Sequence, residues 1–363
     1  MKIVHIVGAR PNFMKAAPVL FALRKHPQIE QLLVHTGQHY DERMSDIFFR
    51  QLGMPQPDIN LDVGSASHAV QTAEIMVRFE KVVLDQKPDW LMVYGDVNST
   101  IACALVAAKL GVKIAHVEAG LRSWDRSMPE EINRVLTDQI SDLFFTPSTD
   151  GDENLKREGI APEKIHFVGN CMIDTLVRLL GQARKPGIDG LEGRFALVTL
   201  HRPSNVDAPE ELQRIVQTLS ELGKEIPVVF PIHPRTRQRL AGMAGVSPGA
   251  GLYLIEPQGY LEFLWLQQHA TMILTDSGGI QEEATFLKVP CLTIRENTER
   301  PITCDLGTNI LVGRDMERLK REARRILGGE KKASTVPPLW EGNAGERVAS
   351  VIAAVAGAGG TLS

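Results

Sequence analysis

Residues 275–283, TDSGGIQEE, combine features that suit an anion site at the start of a helix. Backbone N–H groups are free at a helix start and the helix dipole attracts negative charge there. Gly278 and Gly279 leave room for a diphosphate beside the backbone. The alternative is that Ser277 only caps the helix, which explains the serine and not the glycine pair. Glu283, one turn further on, either accepts hydrogen bonds from hydroxyl groups or is a solvated first-turn acid.

Carboxylates form a second group of candidates, because they follow apolar runs that read as strands. Asp96 lies in GDVNST, Glu118 in HVEAGLR, and Glu130 and Glu131 in MPEEINR. Acid–base catalysis at a carbon centre needs such groups on more than one side of the substrate. Each has a structural alternative: Asp96 could cap the next helix, Glu118 could pair with Arg122, and the two glutamates suit a helix opening.

Basic and imidazole side chains also stand at strand ends. They are Arg10, the pair His201-Arg202, and the pair His233 and Arg235. The planar fork of Arg10 suits a phosphate, although a loop arginine is equally a surface charge. The two His-plus-Arg pairs predict a wall that faces an anion. Lys15 lies near the start of the helix that follows Arg10.

Bulk properties exclude several classes of protein. The chain has 363 residues, 40 Lys and Arg against 44 Asp and Glu, and a net charge of −4, so neither a nucleic-acid surface nor a membrane surface is indicated. GARP after the first apolar run is not GxGxxG, so no nicotinamide fingerprint is present. The four cysteines are scattered without CxxC spacing or a histidine cluster, and no metal or other cofactor is expected. The short N-terminal apolar run is no signal peptide, so we expect a cytoplasmic protein.

Short apolar runs alternate with helical patterns along the whole chain, which predicts an α/β fold with parallel sheets. The predicted strands are 2–7, 32–36, 90–94, 113–117, 143–146, 165–168, 195–200, 227–231, 252–255, 272–275 and 290–294. A Gly-rich, charged segment at 180–194 reads as a linker. We therefore predict a first domain over 1–180, a second over 195–336, and a C-terminal helix within 344–363 that packs back on the first domain.

Ligands of open α/β sheets bind at the carboxyl ends of the strands, and the candidate residues follow those ends. Two doubly wound sheets whose strand ends face each other would place the candidates around one central cleft.

These segments, taken together, resemble the non-hydrolysing UDP-N-acetylglucosamine 2-epimerases, which have the GT-B fold of two Rossmann-like domains. The resemblance covers nearly the whole chain, in GARPNFMKAAPV, TGQHYD, YGDVNST, HVEAGLRS, MPEEINRVLTD, TDSGGIQEEA and RENTERP. It implies that the catalytic residues are Asp96, Glu118, Glu130, His201, Lys15 and Arg134. The predicted UDP-binding residues are Arg10, His201, Arg202, His233, Phe263, Ser277, Gly278, Gly279 and Glu283.

The resemblance also implies an activity. UDP-GlcNAc and UDP-ManNAc would be interconverted by anti elimination of UDP to 2-acetamidoglucal and re-addition, by a homodimer that feeds surface polysaccharide biosynthesis. The alternatives are a hydrolysing epimerase that releases ManNAc and UDP, a GT-B glycosyltransferase, and a non-catalytic UDP-sugar sensor. A pure binder of an anion gains nothing from acids after three separate strands, which argues against the sensor.

The chain departs from the family pattern at two places. Pro203 and Ser204 replace the residues of HRREN or HRAEN, so a glutamate is lost there. Val70 precedes Gln71 where many bacterial members have Arg-Gln, in a region linked to a second, activating UDP-sugar. The resemblance therefore implies neither a role for that glutamate nor activation by a second UDP-sugar in this chain.

Overall fold

The computed structural model describes residues 1–37, 49, 51–191, 193–242 and 249–357. Two compact units account for the chain: Met1–Arg178 together with the segment from Pro338 onward, and Leu179–Pro337. Over the described ranges, each helix is too short or too polar to span a membrane.

The first unit contains a parallel sheet in the order β3-β2-β1-β4-β5-β6-β7. Its strands are β1 (Lys2–Val7), β2 (Glu30–His35), β3 (Ile59–Asn60), β4 (Trp90–Tyr94), β5 (Lys113–Val117), β6 (Leu143–Thr146) and β7 (Ile165–Phe167). The strand order reverses between β1 and β4. The carboxyl ends of these two neighbouring strands therefore mark the switch point of a doubly wound sheet. Its central strands are buried on both faces, as the continuous apolar runs predict.

The helices described around this sheet connect successive strands, except the last of them, which follows β7. They are α1 (Arg10–Leu23), α2 (His68–Gln86), α3 (Asn98–Lys109), α4 (Pro129–Gln139), α5 (Thr149–Arg157) and α6 (Cys171–Leu180). Pro129 opens α4 at its first turn, where a proline costs no hydrogen bond.

The second unit contains a parallel sheet in the order β10-β9-β8-β11-β12-β13. Its strands are β8 (Ala196–Thr199), β9 (Val228–Pro231), β10 (Leu252–Ile255), β11 (Met272–Thr275), β12 (Cys291–Thr293) and β13 (Asn309–Leu311). Its helices are α7 (Pro203–Val206), α8 (Pro209–Leu222), α9 (Pro234–Ala241), α10 (Tyr260–His269), α11 (Gly278–Leu287), α12 (Pro301–Asp305) and α13 (Met316–Leu327). The prediction of two doubly wound parallel sheets is confirmed.

Part of the segment 180–194, which the sequence predicts as a linker, packs on the second unit. Ile188 and Leu191 lie against the apolar cluster that contains Phe195 and Leu197. The hydroxyl of Tyr253 donates to the carbonyl of Gly190 at 3.1 Å. The glycines and charges of this segment indicate a loop, whereas its two aliphatic side chains attach the loop to the sheet.

The C-terminal segment lies in the first unit, where α14 (Ala344–Gly357) packs against α1. The carboxylate of Asp174 on α6 accepts the backbone N–H groups of Ala344 and Gly345 at 3.0 and 2.7 Å. Trp340 is buried and donates its indole N–H to the carbonyl of Pro147 at 2.8 Å. Residues 358–363 of the predicted C-terminal segment lie outside the described residues.

Candidate active site

Glu118 lies directly after β5 in a conformation that few non-glycine residues adopt. Its φ is +70°, in the left-handed region. Its carboxylate forms an ion pair with the ammonium group of Lys15 on α1, and both side chains are buried. Backbone strain of this kind persists where the surrounding structure holds it, and it is concentrated at functional sites. The fold thus fixes a carboxylate and a cation together at the carboxyl end of the sheet.

Gly95 brings the end of β4 against this ion pair. Its φ is +64°, and a Cβ there would lie 2.6 Å from Nζ of Lys15 and 3.0 Å from Oε2 of Glu118. A side chain would therefore push the two charged groups away, so the close approach requires a glycine. Asp96 follows in the same turn.

Asp96 forms an ion pair with Arg134 on α4, which donates from Nε to Oδ2 at 3.2 Å. Arg134 also donates to Glu131 at 2.5 Å. Glu131 is buried and accepts from the backbone N–H and hydroxyl of Ser123 and from the N–H of Trp124, each at 2.9 Å. Glu131 therefore organises the loop before α4 and orients Arg134 toward Asp96.

Glu130 differs from its neighbour. It lies in the first turn of α4 and is partly exposed, and its carboxylate forms no hydrogen bond or ion pair with another described residue. Its charge is favoured by the helix dipole at this end of α4. Of the two adjacent glutamates, Glu130 is the one whose carboxylate is available to a ligand.

Two structural alternatives for the acids are wrong. Arg122 pairs with Asp138 and Glu158 rather than with Glu118. The N-cap residue of α3 is Val97, so Asp96 does not occupy the N-cap position.

The second unit has its own polar centre around Asp276, a residue for which the sequence predicted no role. Asp276 is fully buried at the end of β11. Its carboxylate accepts the backbone N–H groups of His201 and Arg202 at 3.0–3.2 Å and the side-chain amide of Asn205 at 2.9 Å. One carboxylate thus fixes the turn after β8.

Asp276 also contacts the ring of His201, with 3.1 Å between Nδ1 and Oδ1. Burial opposes the charge of Asp276, but His201 and the other donors outweigh it, and the pKa of the carboxyl is lowered. An ionised partner at Nδ1 requires a proton on that nitrogen, so Nε2 is the atom that faces outward. The ring is 62% exposed and can reach a ligand.

The start of α11 presents its backbone N–H groups without a side-chain cap. Ser277 occupies the N-cap position and its hydroxyl makes no capping bond, so the alternative that it only caps the helix is wrong. A Cβ on Gly278 would lie 2.4 Å from a guanidinium nitrogen of Arg300 and 2.6 Å from Glu299. Gly278 is therefore required by the buried Glu299–Arg300 ion pair beside the helix start, a contact that sequence analysis missed.

Glu283 is buried, so the alternative of a solvated first-turn acid is wrong. It accepts from the hydroxyl of Tyr260 at 3.0 Å and from the side-chain amide of Gln267 at 2.6 Å. Both donors come from α10, which holds the carboxylate in place within the first turns of α11.

His233 and Phe263 have structural roles in the fold. The Nδ1 atom of His233 accepts the N–H of Arg235 at 3.2 Å and caps α9, and the contact of His233 with UDP stays a prediction. Phe263 is partly buried and packs on the apolar cluster around Phe195. The side chain of Arg10, and residues 38–41 of TGQHYD, lie outside what the structure describes.

Within each unit, the arrangement suits a distinct part of a reaction. The first unit has carboxylates at two strand ends and one helix start. Lys15 pairs with one of them and Arg134 with another, and such an arrangement suits proton transfer. The second offers free N–H groups at a helix start beside an exposed histidine and an arginine, which suits a phosphate group.

Comparison with known proteins identifies the family. The family model described as UDP-N-acetylglucosamine 2-epimerase matches residues 21–353. The UDP-N-acetylglucosamine 2-epimerase of Methanocaldococcus jannaschii is 45% identical over 97% of this chain and 99% of its own. The UDP-2,3-diacetamido-2,3-dideoxy-D-glucuronate 2-epimerase of Pseudomonas aeruginosa is 46% identical over 90% of this chain and 93% of its own. A crystal structure of the M. jannaschii UDP-GlcNAc 2-epimerase with UDP-GlcNAc and UDP has a TM-score of 0.88, at 44% identity over 97% of this chain and 99% of that one.

Proposed function

The chain belongs to the UDP-N-acetylglucosamine 2-epimerase family, and we propose that it interconverts UDP-GlcNAc and UDP-ManNAc without net hydrolysis. The reaction class is that of an isomerase acting on a nucleotide sugar. The chemistry of the sugar determines what the protein must supply.

The hydrogen on C2 of this sugar is not acidic, because no carbonyl group is adjacent to C2. Breaking the C1–O bond first, or at the same time, gives C1 oxocarbenium character and acidifies C2–H. The electron pair of the C1–O bond leaves with UDP, a protein base takes the C2 proton, and C1=C2 forms in 2-acetamidoglucal. UDP then adds back to C1 while a proton is delivered to the opposite face of C2.

We assign the diphosphate to the second unit. The uncapped start of α11 and the outward Nε2 of His201 would stabilise the charge that develops on departing UDP. Arg202, whose Nε donates to the carbonyl of Asp276 at 3.1 Å, adds positive charge at the same turn. Glu283, whose carboxylate Tyr260 and Gln267 of α10 hold in place, would accept the ribose hydroxyls.

We assign the chemistry at C1 and C2 to Asp96, Glu118 and Glu130 of the first unit. The observation that carries this proposal is the buried Lys15–Glu118 ion pair, with Glu118 in the left-handed region and Gly95 packed against both groups. A carboxylate can accept a proton and return it, and the left-handed backbone and the Lys15 ion pair fix this one at the carboxyl end of the sheet.

A second candidate substrate is UDP-2,3-diacetamido-2,3-dideoxy-D-glucuronate, because the relative that acts on it is as similar to this chain as the UDP-GlcNAc epimerase is. Both substrates carry a 2-acetamido group and a UDP leaving group, so the elimination is the same. They differ at C3 and C6.

Purified protein incubated with UDP-GlcNAc alone and followed by proton NMR tests the proposal. UDP-ManNAc should accumulate to a fixed ratio, with no free ManNAc. Stoichiometric ManNAc plus UDP would establish a hydrolysing enzyme instead. No change with UDP-GlcNAc, but conversion of the diacetamido-glucuronate, would move the enzyme to the second substrate. Glu118→Gln is the control, since it removes one of the three proposed acid–base groups without changing the size of the side chain.

We further propose a homodimer that pairs through α2. Val70, Val77 and Leu84 are each more than half exposed and lie seven residues apart on one helix face. A two-fold axis at Val77 would place Val70 against Leu84 of the second copy, and the exposed Glu74 near its Lys81. Light scattering should give twice the 40.0 kDa chain mass for wild type, and Val77→Asp should shift it to the monomer. A wild-type monomer would overturn the proposal.

We place the enzyme in the cytoplasm, which is supported by four cysteines that are free thiols, three of them buried. We propose surface polysaccharide biosynthesis as the use of the product, on the sequence resemblance. Deleting the gene should remove ManNAc from surface glycans, and unchanged glycan composition would contradict that role.

A further inference from the structure

His116 in β5 is fully buried with an acceptor at each ring nitrogen. Its Nε2 lies 2.8 Å from the carbonyl oxygen of Gly95, and its Nδ1 lies 2.6 Å from Oδ1 of Asp138 on α4. A carbonyl oxygen accepts hydrogen bonds and cannot donate, so Nε2 carries a proton.

The carboxyl group of Asp138 is held as an anion. It is fully buried, and its second oxygen accepts from the N–H of Gly120 at 3.1 Å and pairs with Arg122 at 2.7 Å. Burial opposes the charge, but the guanidinium of Arg122 and the N–H of Gly120 both lie against the second oxygen and stabilise the anion. An ionised carboxylate also only accepts, so Nδ1 of His116 carries a proton as well.

The surrounding charges balance only in this state. Arg122 also pairs with Glu158, with 2.5 Å between the closest atoms. Two cations, His116 and Arg122, then face two carboxylates, Asp138 and Glu158. A neutral His116 would leave one uncompensated negative charge in a buried group, which is costly.

We propose that His116, with a proton on each ring nitrogen, is a positioning residue that fixes both acid-bearing turns of the first unit. The imidazolium holds the carbonyl of Gly95, directly before Asp96. Through Asp138 it holds the N–H of Gly120, two residues after Glu118.

Gly95 packs directly against the Lys15–Glu118 ion pair, since a Cβ on this glycine would lie 2.6 Å from Nζ of Lys15. A shift of the Gly95 backbone would therefore also disturb that ion pair. The role in turnover rests on the proposed function, in which Asp96 and Glu118 act on the sugar. The charge state of His116 does not.

The charge state is tested first, on the unmodified protein labelled with ¹⁵N-histidine. Long-range ¹H–¹⁵N spectra at pH 7 should show both ring nitrogens of His116 protonated, with assignment from the signal that His116→Gln removes. The charged groups of the network and the neighbouring turns are Asp138, Arg122, Glu158, Lys15, Glu118 and Asp96. An unprotonated ring nitrogen at that pH would overturn the proposal, whether or not the protein has epimerase activity.

The positioning role is tested with Asp138→Asn, which keeps the shape of the side chain and lets its amide donate to a neutral ring. We expect kcat to fall roughly tenfold to hundredfold, the usual effect of losing a partner that orients a functional group, with KM and UDP affinity within about twofold. His166→Gln is the matched control, because His166 lies in β7, two strands away from β5. It should leave kcat unchanged.

His116→Gln keeps one N–H donor for Gly95 and cannot be a cation, so it should lose kcat like Asp138→Asn. A folded His116→Gln or Asp138→Asn enzyme with wild-type kcat would overturn the positioning role. Absence of epimerase activity in the wild type would instead contradict the proposed function and leave the NMR result standing.

Discussion

At the scale of single residues, Glu130 and Glu131 show how adjacent carboxylates acquire different roles. Both lie in the first turn of α4. The carboxylate of Glu131 is buried and accepts hydrogen bonds from Ser123, Trp124 and Arg134, whereas the carboxylate of Glu130 bonds to no other described residue. The buried acid is committed to structure, and the partly exposed one is available for chemistry.

Glu130→Gln and Glu131→Gln should therefore separate activity from stability. Glu130→Gln should lower kcat by roughly 10²–10⁴-fold, as expected for a general acid or base, and leave thermal stability within about 0.5 kcal/mol of wild type. Glu131→Gln places an amide N–H group among donors and should destabilise the protein by about 1–3 kcal/mol. Kinetics and thermal unfolding measure the two effects. A Glu130→Gln enzyme with near wild-type turnover would show that Glu130 only opens the helix.

Gly278 gives a second prediction at this scale. Gly278→Ala should destabilise the second unit by about 1–3 kcal/mol, because its Cβ would meet Glu299 and Arg300 at 2.4–2.6 Å and both are buried. Gly187→Ala is the matched control, since a Cβ there has open space. Thermal unfolding should show no change for Gly187→Ala. Equal stability of the two variants would mean that the Glu299–Arg300 ion pair can move away from the added methyl group without lowering the free energy of unfolding.

At the scale of elements, the attachment of α14 to the first unit depends on a carboxylate with an unusual pKa. Burial raises the pKa of Asp174 from 3.8 to about 6, although the N–H groups of Ala344 and Gly345 oppose the rise. The folded protein thus binds this proton more tightly than the unfolded chain does. This tighter proton binding by Asp174 adds about 3 kcal/mol to the free energy of unfolding. The added free energy is fully present below pH about 4 and is lost as pH rises through about 6.

Asp174→Asn removes this titration and keeps one acceptor for the start of α14. The free energy of unfolding of wild type minus that of Asp174→Asn should fall as pH rises from 4 to 7. Urea unfolding of both proteins at several pH values measures it. A difference that stays constant or rises with pH would contradict the raised pKa.

Most strands could be predicted from the sequence, because a doubly wound sheet buries its central strands on both faces and gives them uninterrupted apolar runs. Trp90–Tyr94, Lys113–Val117 and Met272–Thr275 were predicted to the residue. The strands that were missed are Ile59–Asn60 and Asn309–Leu311. Both are short edge strands with an asparagine, so neither composition nor length distinguishes them from loops.

The site was predictable where a residue follows a strand, and not where it acts through a buried partner. The strand-end rule placed Asp96 and Glu118 at the carboxyl edge of the sheet, while His116 lies inside a run that reads only as a buried strand. Asp138 lies in a helix twenty residues from Glu118, and the contact that joins His116 to Asp138 exists only in the folded chain. Spacing along the sequence carries no record of such a pair.

At the scale of the whole molecule, the chain leaves the first unit at Arg178 and returns to it at Pro338. The returning segment is held by Trp340, which is 2% exposed, and by the apolar face of α14. Local sequence does not show which unit the last helix joins. The two GT-B-type domains are therefore not consecutive pieces of chain.

Trp340→Ala should destabilise the first unit by about 3–5 kcal/mol, because it empties a large buried site and leaves the carbonyl of Pro147 without its donor. Trp124→Ala is the control, as Trp124 is 63% exposed and should cost within about 0.5 kcal/mol. Calorimetry should show the first unit's transition move for Trp340→Ala alone. A shift of similar size in both variants would mean that the segment does not depend on Trp340.

The central claim is that UDP leaves C1 and returns while the C2 proton exchanges with the protein. Turnover of UDP-GlcNAc in D₂O, with ¹⁸O in the bridge between C1 and the β-phosphate, tests it directly. The elimination predicts deuterium at C2 of both epimers and movement of ¹⁸O into non-bridging β-phosphate positions. UDP-ManNAc formed without deuterium at C2 and with ¹⁸O confined to the bridge would contradict it and require a redox or ring-opening route.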